Sequence, residues 1–266
     1  MEGLARHESL IQTLALLLAY LAVVLWERLR PLLSYDADDR WRMTSNFGLL
    51  VINHAAPLFV VPVVTAFSSW AASMMNVGWL NAVHAPRWMM FAMAVVALDL
   101  TGWVVHRAMH KVGPLWQVHR VHHSDLRFDS SLGFRFHPVE PALMAAANAA
   151  VVMVLGLPLE AVFLSGVITT LHNFFGHANA SPADNVERGL RTWLITPDLH
   201  RVHHSAHIAD SMSNFGIVFS WWDRLAGTYR APAAKAPSDF GLDDVRDPRR
   251  LSLVSLLIMP FRRLLP

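Results

Sequence analysis

Five apolar stretches, from about Leu10 to Trp26, Phe47 to Phe67, Trp88 to Val105, Ala142 to Leu159 and Ala161 to Phe175, constrain this chain more than any other feature. Each comes near the ~20 apolar residues a helix needs to cross the hydrocarbon core of a bilayer. The expected fold is therefore all-α, an integral membrane helical bundle with about four to five spans. Apolar residues make up 54% of the chain and charged residues 16%, a balance shifted away from the ordinary soluble mixture and towards a chain that meets lipid. The first stretch has no small-residue cleavage site and runs straight into Glu27, Arg28 and Arg30, so it reads as an anchor and not a removed signal. The last two adjoin at Gly156-Leu157-Pro158, the mark of a tight turn in a helical hairpin. Runs this short also fit buried helices of a large soluble protein, and that alternative stays open here. No compositional break marks a linker, so residues 1–266 are read as a single membrane domain.

If all five stretches cross, the loop around 27–46, the loop around 106–141 and everything after about 176 share one side. That side carries Arg28, Arg30, Arg40 and Arg42, then Arg107, Lys111, Arg120, Arg127 and Arg135, whereas the other shows little beyond Arg6 and Arg87. The positive-inside rule makes the shared side cytoplasmic. The apolar end, Leu251 to Leu265 with Arg262 and Arg263, suits an interfacial helix better than a further span.

The absence of cysteine excludes disulfides, thiolate metal ligands and a cysteine nucleophile together, so any metal here is held by nitrogen or oxygen. The net charge is only +2 and the arginines are scattered along loops, which argues for no nucleic acid partner. Lys111 and Lys235 are the only lysines, and with abundant alanine this points to a GC-rich bacterial genome and hence a bacterial inner membrane.

Histidine supplies the nitrogen. Of 15 histidines, His106 and His110 stand at i, i+4, and the hexapeptide His-Arg-Val-His-His-Ser occurs twice, giving His119, His122 and His123 and then His200, His203 and His204. His172 and His177 bracket a fourth group. Spacings of three and four put side chains on one helical face, where neutral imidazoles can share a cation. Each triplet can give ligands to two metals at once, and the parity above brings all four groups to one cytoplasmic, histidine-rich helical cap. So many nitrogen donors exceed the four of one closed zinc shell, and imidazole suits iron, zinc, copper or nickel alike. A membrane metal transporter or metal-binding protein would use the same residue types, but its ligands are expected within spans along a pathway.

In this order the motifs resemble the fatty acid hydroxylase and sterol desaturase superfamily, the membrane histidine-motif di-iron enzymes: HxxxH, HxxHH, a later histidine region and a second HxxHH. The resemblance covers about residues 90–230 and extends to Arg135-Phe-His137-Pro-Val-Glu140, His177-Ala-Asn179, Ser213-Asn214-Phe215-Gly216 and Trp222-Asp223-Arg224 through Tyr229. It implies a membrane non-haem enzyme with two Fe ions that uses O2, and electrons from a separate electron-transfer protein, to hydroxylate or desaturate a lipid carbon. By position it implies His106, His110, His119, His122, His123, His172, His177, His200, His203 and His204 as metal ligands. A ligating histidine usually donates its other N–H to a carboxylate or carbonyl. Asp99, His137, Glu140, Asp198 and Asp223 are the candidates for that orienting role, with helix caps and surface ion pairs as the ordinary alternative. The lipid, and the choice between hydroxylation and desaturation, are left open by the sequence.

Overall fold

The structure is a computed structural model. It describes residues 2–35, 40–55, 57–233 and 237–262, and of residues 2–12, 54–55, 57–63 and 65 the backbone alone. As expected, it is built from helices, and among the described residues the only extended pairings are isolated bridges such as Leu194 with Phe219. In order these are α1 (Glu2–Leu29), α2 (Arg40–Ala55), α3 (Pro57–Met74), α4 (Trp79–Ala82), α5 (Arg87–Lys111) and α6 (Gly113–His123). A 3-10 turn (Ser130–Phe134) leads to α7 (Val139–Leu155), α8 (Leu159–Gly176), α9 (Asp184–Leu190) and α10 (Pro197–His203). Then come α11 (Ile208–Ser211), α12 (Trp221–Ala226) and α13 (Leu253–Ile258).

Among the described residues one helix, α5, is long and apolar enough to cross a membrane by length and composition. Over the stretch read as one span at 47–67, the described helices are α2, which reaches Ala55, and α3, which starts at Pro57; residue 56 lies outside the described residues. The hairpin of α7 and α8 forms as expected. Gly156 ends α7 at φ +72°, where a Cβ would meet Val77 O at 2.9 Å, and Gly78 at φ +100° abuts the same turn. α5 packs on α6, α7 and α8, with Leu80, Leu98, Val152, Leu157 and Val162 buried between them.

The C-terminal stretch expected as an interfacial helix over Leu251–Leu265 keeps Val254, Ile258 and Phe261 exposed. It breaks into short turns whose Leu251, Leu256 and Met259 are buried against Leu49 of α2 and Val121 of α6, a clasp behind the first triplet; residues 263–266 lie outside the described residues. A second clasp comes from α1. Glu27 accepts bonds from Ser130 N at 2.7 Å and Asn179 N at 2.8 Å, joining the end of α1 to the segment that follows His177.

Candidate metal centre

Each triplet rides on a helix that begins with proline in its first turn, Pro114 in α6 and Pro197 in α10, the latter capped by Thr196 Oγ1. At about 100° per residue, positions i and i+4 are offset by some 40° on one side and position i+3 by some 60° on the other. The outer pair of a triplet therefore diverges from its middle ring, and the structure uses that divergence. His119 and His123 join His203, with His106 and His110 from the end of α5, in one buried group. His200 and His204 join His122, with His177 just after α8, in a second. Each copy of the hexapeptide thus gives its outer pair to one group and its middle ring to the other. Within each group the ligand atoms lie within 4.8 Å of one another.

Hydrogen bonds fix which nitrogen is bare. The ring Nδ1 of His106 lies 2.8 Å from Phe215 O, that of His203 2.8 Å from Ser213 O and that of His177 2.9 Å from Asn173 O. A carbonyl oxygen only accepts, so each Nδ1 carries the proton and each Nε2 presents a lone pair. The Nε2 atoms of His106, His110 and His203 are buried without a hydrogen-bond partner. In the second group, His177 Nε2 stands 2.9 Å from His200 Nε2 and 3.3 Å from His122 Nε2. With metal–nitrogen bonds of about 2.1 Å, adjacent ligand nitrogens are separated by roughly 3.0 to 3.4 Å, so these contacts have the length of a coordination edge. Burial pushes His177 down to about 4 and His203 down to about 3, and holds His122, His123, His200 and His204 well below the usual range, which keeps these rings neutral and available to a cation. Bare lone pairs facing one another in a buried space repel, and a metal ion resolves that repulsion. The residues fit two such ions.

The fatty acid hydroxylase family model matches residues 91–228, just over half of the chain and all of both groups. The chain belongs to the fatty acid hydroxylase family. Over 150 residues it is 30% identical to the ornithine lipid hydroxylase OlsE of Rhizobium tropici, covering 56% of this chain and 44% of that protein. Over 149 residues it is 28% identical to the alkylglycerol monooxygenase of Caenorhabditis elegans (54% and 28% of the two chains), and over 146 residues 25% identical to that of Homo sapiens (53% and 31%). The chain thus spans less than half the length of these curated relatives. No solved structure matches it.

Of the orienting candidates in this fatty acid hydroxylase family member, Glu140 alone touches a ligand ring, its Oε1 lying 2.9 Å from His119 Nδ1. Asp99 instead accepts from Val218 N, Phe219 N and Trp222 Nε1. Asp223 accepts from Phe215 N at 2.9 Å and Gly216 N at 2.7 Å, so it positions the carbonyl that receives His106 without touching the ring. Asp198 pairs with Arg201, and His137 lies against Leu257 O at 3.1 Å. These four carboxylate and imidazole groups hold backbone and buried arginine, roles that a spacing argument does not distinguish from ring contact. His172 is also placed apart: its Nε2 donates to Ile195 O at 2.7 Å, and it belongs to neither group.

What sequence reasoning missed are the carbonyls of Asn173, Ser213 and Phe215 as ring acceptors, because every residue has one. A partial signal was present in Ser213-Asn214-Phe215-Gly216. Asn214, at φ +52°, reaches Leu199 O and Arg230 O with its side chain and clamps the two acceptor carbonyls onto α10. Replacing Glu140 by Gln keeps the shape but weakens the acceptor facing His119. Metal affinity of the five-ring group is expected to fall about 10- to 100-fold, read by competition with a chelator, while the four-ring group is unchanged.

Proposed function

We propose that this chain is a membrane-bound, O2-dependent di-iron enzyme that hydroxylates a C–H bond of a lipid, with electrons delivered by a separate protein. The observation that carries this reading is the pair of interlocked, all-imidazole groups, buried together at the end of an apolar helix. Iron bound there supplies the redox chemistry by which O2, two electrons and two protons convert R–H to R–OH and water. The chain's own part is to hold nine rings with their Nε2 atoms inward and to keep the site dry. Phe136 stacks on His122 with centroids 4.4 Å apart, Phe215 lies 5.2 Å from His110, and Phe128 lies 5.4 Å from His204. Hydroxylation, in preference to desaturation, is supported by the relatives, which are named a lipid hydroxylase and monooxygenases.

Residence in the membrane is supported by α5 and by α1, where Leu14, Leu18, Leu21 and Leu25 leave an apolar stripe about half exposed. Monomeric soluble proteins rarely expose such stripes. With α5 crossing, the arginine-rich loops support a cytoplasmic face for the metal groups, in a bacterial inner membrane. Transport is disfavoured because the ligands form one closed, buried cluster and not a path along a span.

Protein purified after growth with iron is expected to hold two iron ions per chain by elemental analysis, and to convert extracted lipid to a hydroxylated product only with O2 and a reductant. Fewer than two ions per chain sinks the dinuclear reading. Cation uptake into vesicles without lipid oxidation replaces it with the transport reading.

A further inference from the structure

Asp99 is a carboxylate twelve residues into a helix otherwise fit for lipid, and it touches no metal ligand. Such a residue inside a span needs a partner. Its partners are the amides of Val218 and Phe219, at 2.8 and 3.2 Å, and the indole N–H of Trp222 at 2.8 Å. Seven residues separate Asp99 from His106, which is about 10 Å of helix rise. The irregular segment 215–220 therefore runs alongside α5 from the level of His106, where Phe215 O meets the ring, down to the depth of Asp99, where Val218 and Phe219 are held, on the bilayer side.

Backbone at that depth must be satisfied by protein. Here Phe215 and Gly216 donate to Asp223, Val218 and Phe219 donate to Asp99, and Ser220 N donates to Trp193 O. The side chains that remain outward are apolar and aromatic. Trp193 and Leu225 are 64% and 79% exposed. Trp193 meets Trp221 at 6.0 Å, and Trp221 stacks on Phe219 at 4.2 Å. Arg224 stands exposed in α12 beside Leu225, and Arg188 stands exposed in α9, which leads to Trp193. An aromatic face edged by arginines fits the interface between acyl chains and phosphate headgroups.

We infer that the surface formed by Trp193, Phe219, Trp221 and Leu225 is a membrane-embedded foot of the cap, seated in bilayer lipid beside α5, with Asp99 as the internal acceptor that lets non-helical backbone enter the membrane. The inference rests on α5 crossing the bilayer, as proposed above. It identifies the occupant of the face as phospholipid, so the lipid substrate approaches the metal groups from this side without leaving the membrane.

The cysteine-free chain allows a direct test. Trp193→Cys and Leu225→Cys are each labelled with an NBD fluorophore in vesicles of phosphatidylethanolamine and phosphatidylglycerol. Val104→Cys on the exposed side of α5 and Asp243→Cys on the cap serve as references. Labels at 193 and 225 are expected to emit blue-shifted light and to be quenched by doxyl-labelled lipid but not by iodide, matching 104 and opposing 243. If 104 reads lipid while 193 and 225 read water, the foot is refuted and the crossing of α5 stands. If 104 itself reads water, the membrane reading falls and the inference with it. Labels at 193 and 225 that are shielded from both quenchers mark a protein-covered face and equally overturn the proposal.

Discussion

Replacing His203 by alanine is expected to abolish lipid oxidation and to lower bound iron from two ions per chain towards one. The ring belongs to the five-imidazole group, with centroids 4.6 Å from His106 and 4.7 Å from His110 and His123. Its neighbours in sequence, His200 and His204, serve the other group, which keeps all four of its rings. Loss of an orienting partner alone costs about 10- to 100-fold in metal affinity or activity, so loss of the ligand itself is expected to exceed that range. His122→Ala is the mirror experiment and strips the four-ring group instead. His172→Ala is the contrast. Its ring gives up one bond to Ile195 O, a net loss of about 1 kcal/mol, and both ions are expected to remain. Elemental analysis of the three variants checks the pattern. Iron loss in His172→Ala equal to that in His122→Ala would restore His172 as a ligand and break the present division into groups.

How much of this was legible from the chain follows from which physical rule each feature obeys. The nine rings were readable because helical spacing and the repeated hexapeptide bring donors of one chemistry together. Their division was not, because which ring of one triplet meets which pair of the other depends on how the fold brings α6 and α10 together, a tertiary quantity. Glu140 was readable as a carboxylate near a motif, and so were Asp99, Asp198 and Asp223; only packing separates the one that meets a ring from the three that meet amides and arginine. The burial of Leu256 and Met259 had no signal in the sequence, since an apolar end with two arginines gives only the interfacial pattern, which the exposed Val254, Ile258 and Phe261 still fit.

The arginine within the repeated hexapeptide gives the sharpest separation between sequence and context. Arg201→Ala is expected to destabilise the fold by about 3 kcal/mol, because removing the buried guanidinium leaves a part-buried carboxylate and two carbonyls without their donor. Arg201 is fully buried. It donates to Asp198 at 2.6 Å and to the carbonyls of Ala178 and Ala180 at 3.0 and 3.3 Å, and its guanidinium lies 5.1 Å from the Phe128 ring centre. Those carbonyls immediately follow His177, so the same fork that anchors α10 also sets the position of a ligand in the four-ring group. Arg201→Lys retains the charge but not the fork, and is expected to recover only part of the loss. Arg120 occupies the equivalent place in the first copy, yet its partner Asp244 is half exposed. Solvent screens that pair, and Arg120→Ala is expected to cost about 1 kcal/mol. Thermal or denaturant unfolding of the two alanine variants, with chelator titration of each ion, checks both the gap in stability and the selective weakening of the His177 group. Equal destabilisation would show that the arginine acts through the hexapeptide helix itself and not through the segment it reaches across to hold.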